Sequence, residues 1–153
     1  MSRVRFAIIP LTVIALIFGG CKKSEDSPAS PGGVIPAAMV GTWTPTSASL
    51  NGTPMDPAQF LGYTQGAVTS KFTFNADGSY LYSELDAANK VLYTEAGTIT
   101  VNGLNFTITS TTANGQPQNP PQAIAGTYAV AGAQLTITIA VPQIGAAVVV
   151  MTK

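Results

Sequence analysis

The sequence predicts an all-β domain, an up-and-down antiparallel β-barrel of about eight strands. Three observations predict it. Thr, Ala, Gly and Val dominate the chain beyond its N-terminal tether, and aromatics recur there in pairs, a composition suited to pleated, half-buried strands. Turn signals at Asp77-Gly78, Asn102-Gly103 and Gly132-Ala133 separate runs of alternating character. The best of these alternations places four aromatic residues, Phe72, Phe74, Tyr80 and Tyr82, on one strand face.

Val40-Gly41-Thr42-Trp43 opens the domain and leads into a strand ending near Leu50. Asn51 to Gly66 reads as a long connection. Within it, Asp56 followed by Pro57 supplies an N-cap and a first-turn proline for a short helix over Ala58-Gln59-Phe60-Leu61. Ala67 to Ser83 is a hairpin around Asn75-Ala76-Asp77-Gly78, with Gly78 in the left-handed conformation. That turn sets Phe74 opposite Tyr80 and Phe72 opposite Tyr82, with Leu81 the single apolar exception on the other face. Asp86 to Lys90 is a polar turn, and Val91 to Val101 continues as strand with a kink expected at Gly97. Asn102-Gly103 predicts a two-residue turn pairing Val101 with Leu104 and Ile99 with Phe106. Thr112 to Gln122, rich in Asn, Gln and Pro, reads as a second long loop. A type II′ turn at Gly132-Ala133 pairs Val130 with Leu135 and Tyr128 with Ile137. Val141 to Gly145 turns the chain into Ala146 to Thr152, whose apolar run suggests burial on both faces or a strand that closes the barrel.

In a meander, successive turns alternate between two ends. The long connections, Asn51–Gly66, Asp86–Lys90, Thr112–Gln122 and Val141–Gly145, would share one end, and the tight turns would share the other. The tether enters at the tight-turn end. The expected object is a cup whose mouth faces away from its point of attachment.

Composition excludes several function classes. The chain has no histidine and one cysteine, Cys21, so the commonest nucleophile–base pairs, intramolecular disulfides and His- or thiolate-based metal sites are unavailable. No catalytic residue, metal or cofactor is expected. Beyond the tether, Lys71, Lys90 and Lys153 face Asp56, Asp77, Glu84, Asp86 and Glu95, and no arginine is present. A mildly acidic domain lacks the footprint of a nucleic-acid binder. Glu84 and Asp86 could share a strand face as a carboxylate pair, but solvated turn residues explain them more simply.

The N-terminal stretch carries a separate message. Arg3 and Arg5 precede an apolar run from Phe6 to Phe18, and Gly19-Gly20 precede Cys21, the three parts of a secretory signal peptide. Phe18-Gly19-Gly20-Cys21 resembles the lipobox of bacterial lipoproteins, which implies cleavage before Cys21 and its acylation, with palmitate-like chains holding the protein on a membrane. The expected organisation is a signal peptide over 1–20, a lipidated cysteine and flexible tether over 21–37, and the barrel over 38–153. The resemblance implies the bacterial cell envelope, with the outer membrane favoured, and Glu25-Asp26 resemble the acidic export signals of Bacteroidetes surface lipoproteins.

Gly41-Thr42-Trp43, Phe72-Thr73-Phe74-Asn75-Ala76-Asp77-Gly78-Ser79-Tyr80 and Gly126-Thr127-Tyr128 with Leu135-Thr136-Ile137 are together similar to bacterial lipocalin-like lipoproteins. The resemblance spans nearly all of Val40 to Thr152. It implies that Trp43 plugs the closed end and that the barrel is a ligand cup. Lipocalins usually lay an arginine over that tryptophan; here Lys153 is the nearest candidate. The ligand-binding candidates are Phe60 and Tyr63 on the long connection, with Phe72, Phe74, Tyr80 and Tyr82 as an apolar wall. The expected partners are a membrane, through Cys21, and a small apolar or amphipathic ligand. The alternative is a non-catalytic interaction module, a filled barrel whose long loops contact an envelope protein or a glycan.

Overall fold

The computed structural model describes residues 35–153, so the signal peptide, Cys21 and most of the tether lie outside the described residues. The elements in chain order are β1 (Gly41–Leu50), β2 (Thr53–Met55), α1 (Pro57–Leu61), β3 (Thr69–Phe74), β4 (Ser79–Leu85), β5 (Val91–Asn102), β6 (Asn105–Ala113), β7 (Gln116–Ala131), β8 (Gln134–Val141) and β9 (Gly145–Thr152). They form one antiparallel sheet in the order β2-β1-β3-β4-β5-β6-β7-β8-β9, and β1 also pairs with β9. That pairing closes the sheet. With β2 attached outside the ring, eight strands make the expected up-and-down, lipocalin-like barrel.

The Ala67–Ser83 hairpin has the expected register, Phe72 against Tyr82 and Phe74 against Tyr80. Its turn is closed by Gly78 at φ 80°, and the Asp77 carboxylate accepts from the Ser79 N–H at 2.8 Å. Leu81 is outward and exposed. The short helix also forms, with Asp56 as N-cap accepting from the Ala58 N–H at 2.7 Å.

Three local expectations are corrected. Asn51–Gly66 is not one irregular connection, because Asn51 and Gly52 (φ 51° and 77°) make a two-residue turn that folds β2 onto β1. Asn51 also clips that turn to the β8–β9 connection, donating from Nδ2 to the Ile144 carbonyl and accepting from the Ala146 N–H. Thr112–Gln122 is not a loop either. β6 and β7 continue into a hairpin whose turn is Asn114-Gly115, with Ala113 opposite Gln116. Pro117, Pro120 and Pro121 are tolerated there because β7 pairs with β8 only from Gly126 onward, leaving its first half an edge strand. Finally, the β5–β6 turn centres on Gly103-Leu104, with Val101 opposite Phe106 and Ile99 opposite Ile108. Gly103 alone takes positive φ (61°), the signature of a type II′ turn, and Tyr128 holds it by donating to the Leu104 and Gly103 carbonyls. The register moves by two residues, so the apolar face is unchanged.

β9 closes the barrel with alternating burial: Ala147, Val149 and Met151 are buried, while Val148 and Val150 are half-buried. The tight turns after β3, β5 and β7 share one end with the entry of β1. The β1–β3 connection, the Asp86–Lys90 turn, the Asn114-Gly115 tip and the β8–β9 turn share the other.

The tight-turn end is the closed end. Trp43 is fully buried there with Phe74, Met39, Ile99, Leu135 and Met151. Residues 36–40 turn beneath the barrel, and the packing reaches back to Ile35, which is 3% exposed. The Trp43 indole N–H donates to the Met39 carbonyl at 2.7 Å. Lys153 lies over the plug: its ammonium is 4.4 Å from the Trp43 ring centroid and donates to the Ala38 carbonyl at 3.3 Å.

Candidate functional site

The open half of the interior is built by alternation on β3, β4 and β5. Inward positions run Ser70, Phe72, Phe74 on β3; Tyr80, Tyr82, Glu84 on β4; and Tyr93, Glu95, Gly97 on β5. Cross-strand pairing sets Tyr82 opposite Glu95 and Glu84 opposite Tyr93, a checkerboard of two phenols and two carboxylates. Gly97 stands opposite Tyr80, at a bulge in the β5–β6 ladder. The absent side chain lets the β6 backbone at Thr109 and Ser110 approach β5 closely.

Two hydrogen-bonded groups result. Glu95 accepts from the Tyr80 hydroxyl at 2.7 Å and from the Tyr93 hydroxyl at 3.3 Å. Glu84 accepts from the Tyr82 hydroxyl at 3.0 Å and from the Thr64 backbone N–H at 2.6 Å. Ser70 and Ser110, both buried, accept from the Tyr63 hydroxyl at 2.7 Å and from the Gln118 amide at 2.9 Å. Phe72 packs on Tyr82 with ring centroids 4.7 Å apart, and Tyr82 meets Tyr93 edge-on at 6.3 Å. Each carboxylate oxygen has used one of its acceptor positions and retains another.

The interior is thus graded along the barrel axis. Apolar side chains fill the closed end, and tyrosines, serines and two glutamates line the interior toward the Asp86–Lys90 turn. Inward Phe72, Tyr93, Glu95, Ile108 and Ile139 keep partial solvent access, as Val101, Tyr128 and Val130 do nearer the tight turns. A separate depression of about 440 Å³ lies on the outer wall of β6–β8, among Asn105, Thr107, Ala125, Thr127, Thr138 and Ala140, with Gly126 and Phe106 behind it.

The sequence-derived candidates distribute unevenly. Phe72, Tyr80 and Tyr82 face inward as expected, and Tyr63 joins them from the long connection through Ser70. Phe74 is fully buried at the closed end, beside Trp43, so it belongs to the floor. Phe60 is half-buried and packs against the core from α1. Glu84 overturns the solvated-turn reading, because it is 4% exposed and inside the barrel. Asp86 does serve its turn, accepting from the Ala88 and Lys90 N–H groups. Glu95, Tyr93, Ser70 and Ser110 were not singled out from the sequence. The signal for them was parity: extending the Tyr80–Tyr82 alternation reaches Glu84, and the facing strand carries Tyr93 and Glu95 at the same spacing.

Burial raises Tyr80 and Tyr82 well above the ordinary phenol value of 10.0, and their neighbouring carboxylates reinforce the shift. Tyr63 and Tyr93 move the same way, again chiefly through burial. In the unfolded chain these phenols lose their protons near pH 10, while in the barrel they keep them. The unfolded state then binds fewer protons above that pH, so this stabilisation is complete below about pH 10 and is lost as pH rises beyond it. The loss is at most about 1.4 kcal/mol per pH unit for Tyr82, and less for the more solvated phenols. Denaturant unfolding at about pH 9 and about pH 11 should show a shallower alkaline loss for Tyr82→Phe than for the wild type. Equal losses would show that the phenol stays uncoupled from folding.

Among the described residues no group of three or more His, Cys, Asp or Glu could hold a metal ion, and no helix is long and apolar enough to cross a membrane. A scan of the sequence against protein-family models gives no match, and a search of curated proteins gives none either.

Proposed function

We propose that the chain is a cell-envelope lipoprotein, anchored through Cys21, whose barrel binds a small amphipathic molecule at its open end. The observation that carries this reading is the graded interior. Above the filled closed end, Phe72, Tyr82 and Tyr93 form an aromatic wall that offers an apolar body its contacts, beside Glu84 and Glu95. Carboxylates accept hydrogen bonds and repel anions. The favoured ligand therefore carries hydrogen-bond donors, a hydroxyl or an amine, at its polar end. The proposed role is binding rather than catalysis, and it invokes no cofactor.

Native mass spectrometry of the full chain in detergent tests the reading with alkyl alcohols, alkyl amines, fatty acids, isoprenoids and sterol-like compounds. The expected result is a discrete adduct with amines or alcohols, weaker for a fatty acid of equal length. Glu95→Gln should weaken the amine complex about tenfold, the worth of one hydrogen bond to a charged group. A bare protein mass across the whole panel would sink the proposal.

A second reading, an interaction module, is favoured by the β6–β7 hairpin. The first half of β7 leaves one edge unpaired, and Ile124 there is 43% exposed. Such an edge can take an added strand from an envelope partner. A hairpin-directed cross-link to one partner, with no ligand adduct, would select it.

A further inference from the structure

Resting on the reading of the open end as a ligand cup, we propose that Gly62–Gly66 is a hinged strap latched across that opening by Glu84. Its ends are glycines at positive φ, Gly62 at 67° and Gly66 at 94°. Between them, two consecutive residues bond to inward-facing side chains of the barrel. The Tyr63 hydroxyl donates to Ser70 Oγ at 2.7 Å, and the Thr64 N–H donates to Glu84 Oε2 at 2.6 Å. Ser70 and Glu84 face inward and are 0% and 4% exposed, whereas Thr64, Gln65 and Gly66 are exposed. A buried carboxylate thus holds the backbone of a surface segment.

One backbone bond crosses each glycine, and none joins the strap to a strand: the Ala67 N–H donates to the Thr64 carbonyl at 3.0 Å across Gly66. The Tyr63 N–H closes α1 on the Ala58 carbonyl, and the β3–β4 ladder is met beyond the strap, where the Val68 N–H donates to the Leu85 carbonyl. α1 itself holds no fully buried residue, and half-buried Phe60 is its contact with the core. Opening at the two glycines breaks the Tyr63 hydroxyl and Thr64 N–H bonds, with the short Ala67–Thr64 turn bond at the Gly66 hinge, and leaves every strand pairing intact. Glycine absorbs such a backbone change at low steric cost, as hinge positions of closing loops do. Release uncovers the Glu84 carboxylate to a ligand's donors, so the latch sets how fast the cup fills.

Native-state amide exchange on the full chain in detergent micelles tests the latch without any ligand. In the wild type, the Thr64 amide should exchange at least about tenfold faster than the barrel amides of Tyr82 and Ile137, because it opens locally. Glu84→Gln, which replaces a charge-assisted bond with a neutral one, should speed Thr64 exchange about tenfold more while the barrel amides hold. Should that variant fail to fold, Tyr63→Phe removes a single hydroxyl and should still speed Thr64 exchange about threefold. Thr64 exchanging only at the barrel's own rate, in wild type and variant alike, would overturn the strap. Stopped-flow entry of N-phenyl-1-naphthylamine separates this from the ligand reading. Faster entry in Tyr63→Phe supports both. Local Thr64 opening with no probe binding supports the strap and counts against the cup. Probe entry at one rate in both proteins, with Thr64 protected as the barrel is, overturns the strap and leaves the cup standing.

Discussion

Trp43→Ala is expected to cost about 3–5 kcal/mol, the range for removing a large buried aromatic. Trp43 is 0% exposed, and its indole N–H is bonded to the Met39 carbonyl, so truncation opens a cavity and leaves a buried acceptor without its donor. Small domains are stable by about 5–15 kcal/mol in total, which makes this loss a large fraction of the whole. Urea unfolding followed by far-ultraviolet circular dichroism measures it, since the variant has no tryptophan left to report. Lys153→Ala provides the contrast. It removes only the cation over the ring and one exposed bond to the Ala38 carbonyl, a loss of about 1 kcal/mol or less. Equal effects from the two would show that the closed end is held by the lysine clamp rather than by the plug.

Gly97→Ala comes next, with an expected cost of about 3 kcal/mol or more, at the upper end for overpacking. An added Cβ would stand 1.9 Å from the Thr109 carbonyl oxygen and 3.0 Å from Ser110 Cα, both backbone atoms of the neighbouring strand. Neither can turn aside as a flexible side chain would, so the β5–β6 ladder must part at its bulge. Parting the ladder there would also disturb Glu95, two residues back on β5, which accepts from Tyr80. The same unfolding measurement checks stability, and the Glu95 side-chain carboxyl resonance checks whether its tyrosine bond survives. A variant as stable as the wild type would mean that β5 and β6 can separate locally without cost.

The hairpin from β3 to β4 was fully legible in the sequence, because its turn chemistry and its aromatic alternation agree on one register. The helix at Asp56-Pro57 was legible for the same reason, since the cap and the first-turn proline act within a few residues. Asn51-Gly52 and Asn114-Gly115 carry the same two-residue turn chemistry as hairpins elsewhere, yet polar and proline-rich surroundings hid them. Prolines argue against a strand only where both edges must donate, and β7 has a free edge at Pro117, Pro120 and Pro121. The Asn102-Gly103 register slipped by two because a glycine in either central position satisfies a turn. Tyr128, some twenty-five residues away, holds the one that forms.

The sequence alone determined the fold class and the alternation of turns between two ends, both of which follow from local chemistry repeated along the chain. The plug at Trp43 and the place of Lys153 were expected only through a resemblance of motifs. The candidate site depended on the tertiary structure. Glu84 lies two residues from a polar turn, where solvent is the ordinary neighbour of a carboxylate, and only barrel closure with the crossing of Tyr63 and Thr64 above it takes that carboxylate out of water. Glu95 likewise gains its meaning from Tyr80 and Tyr93, on strands whose facing is fixed by pairing. Burial of a charged side chain depends on what covers it, and covering is a property of distant segments meeting in space.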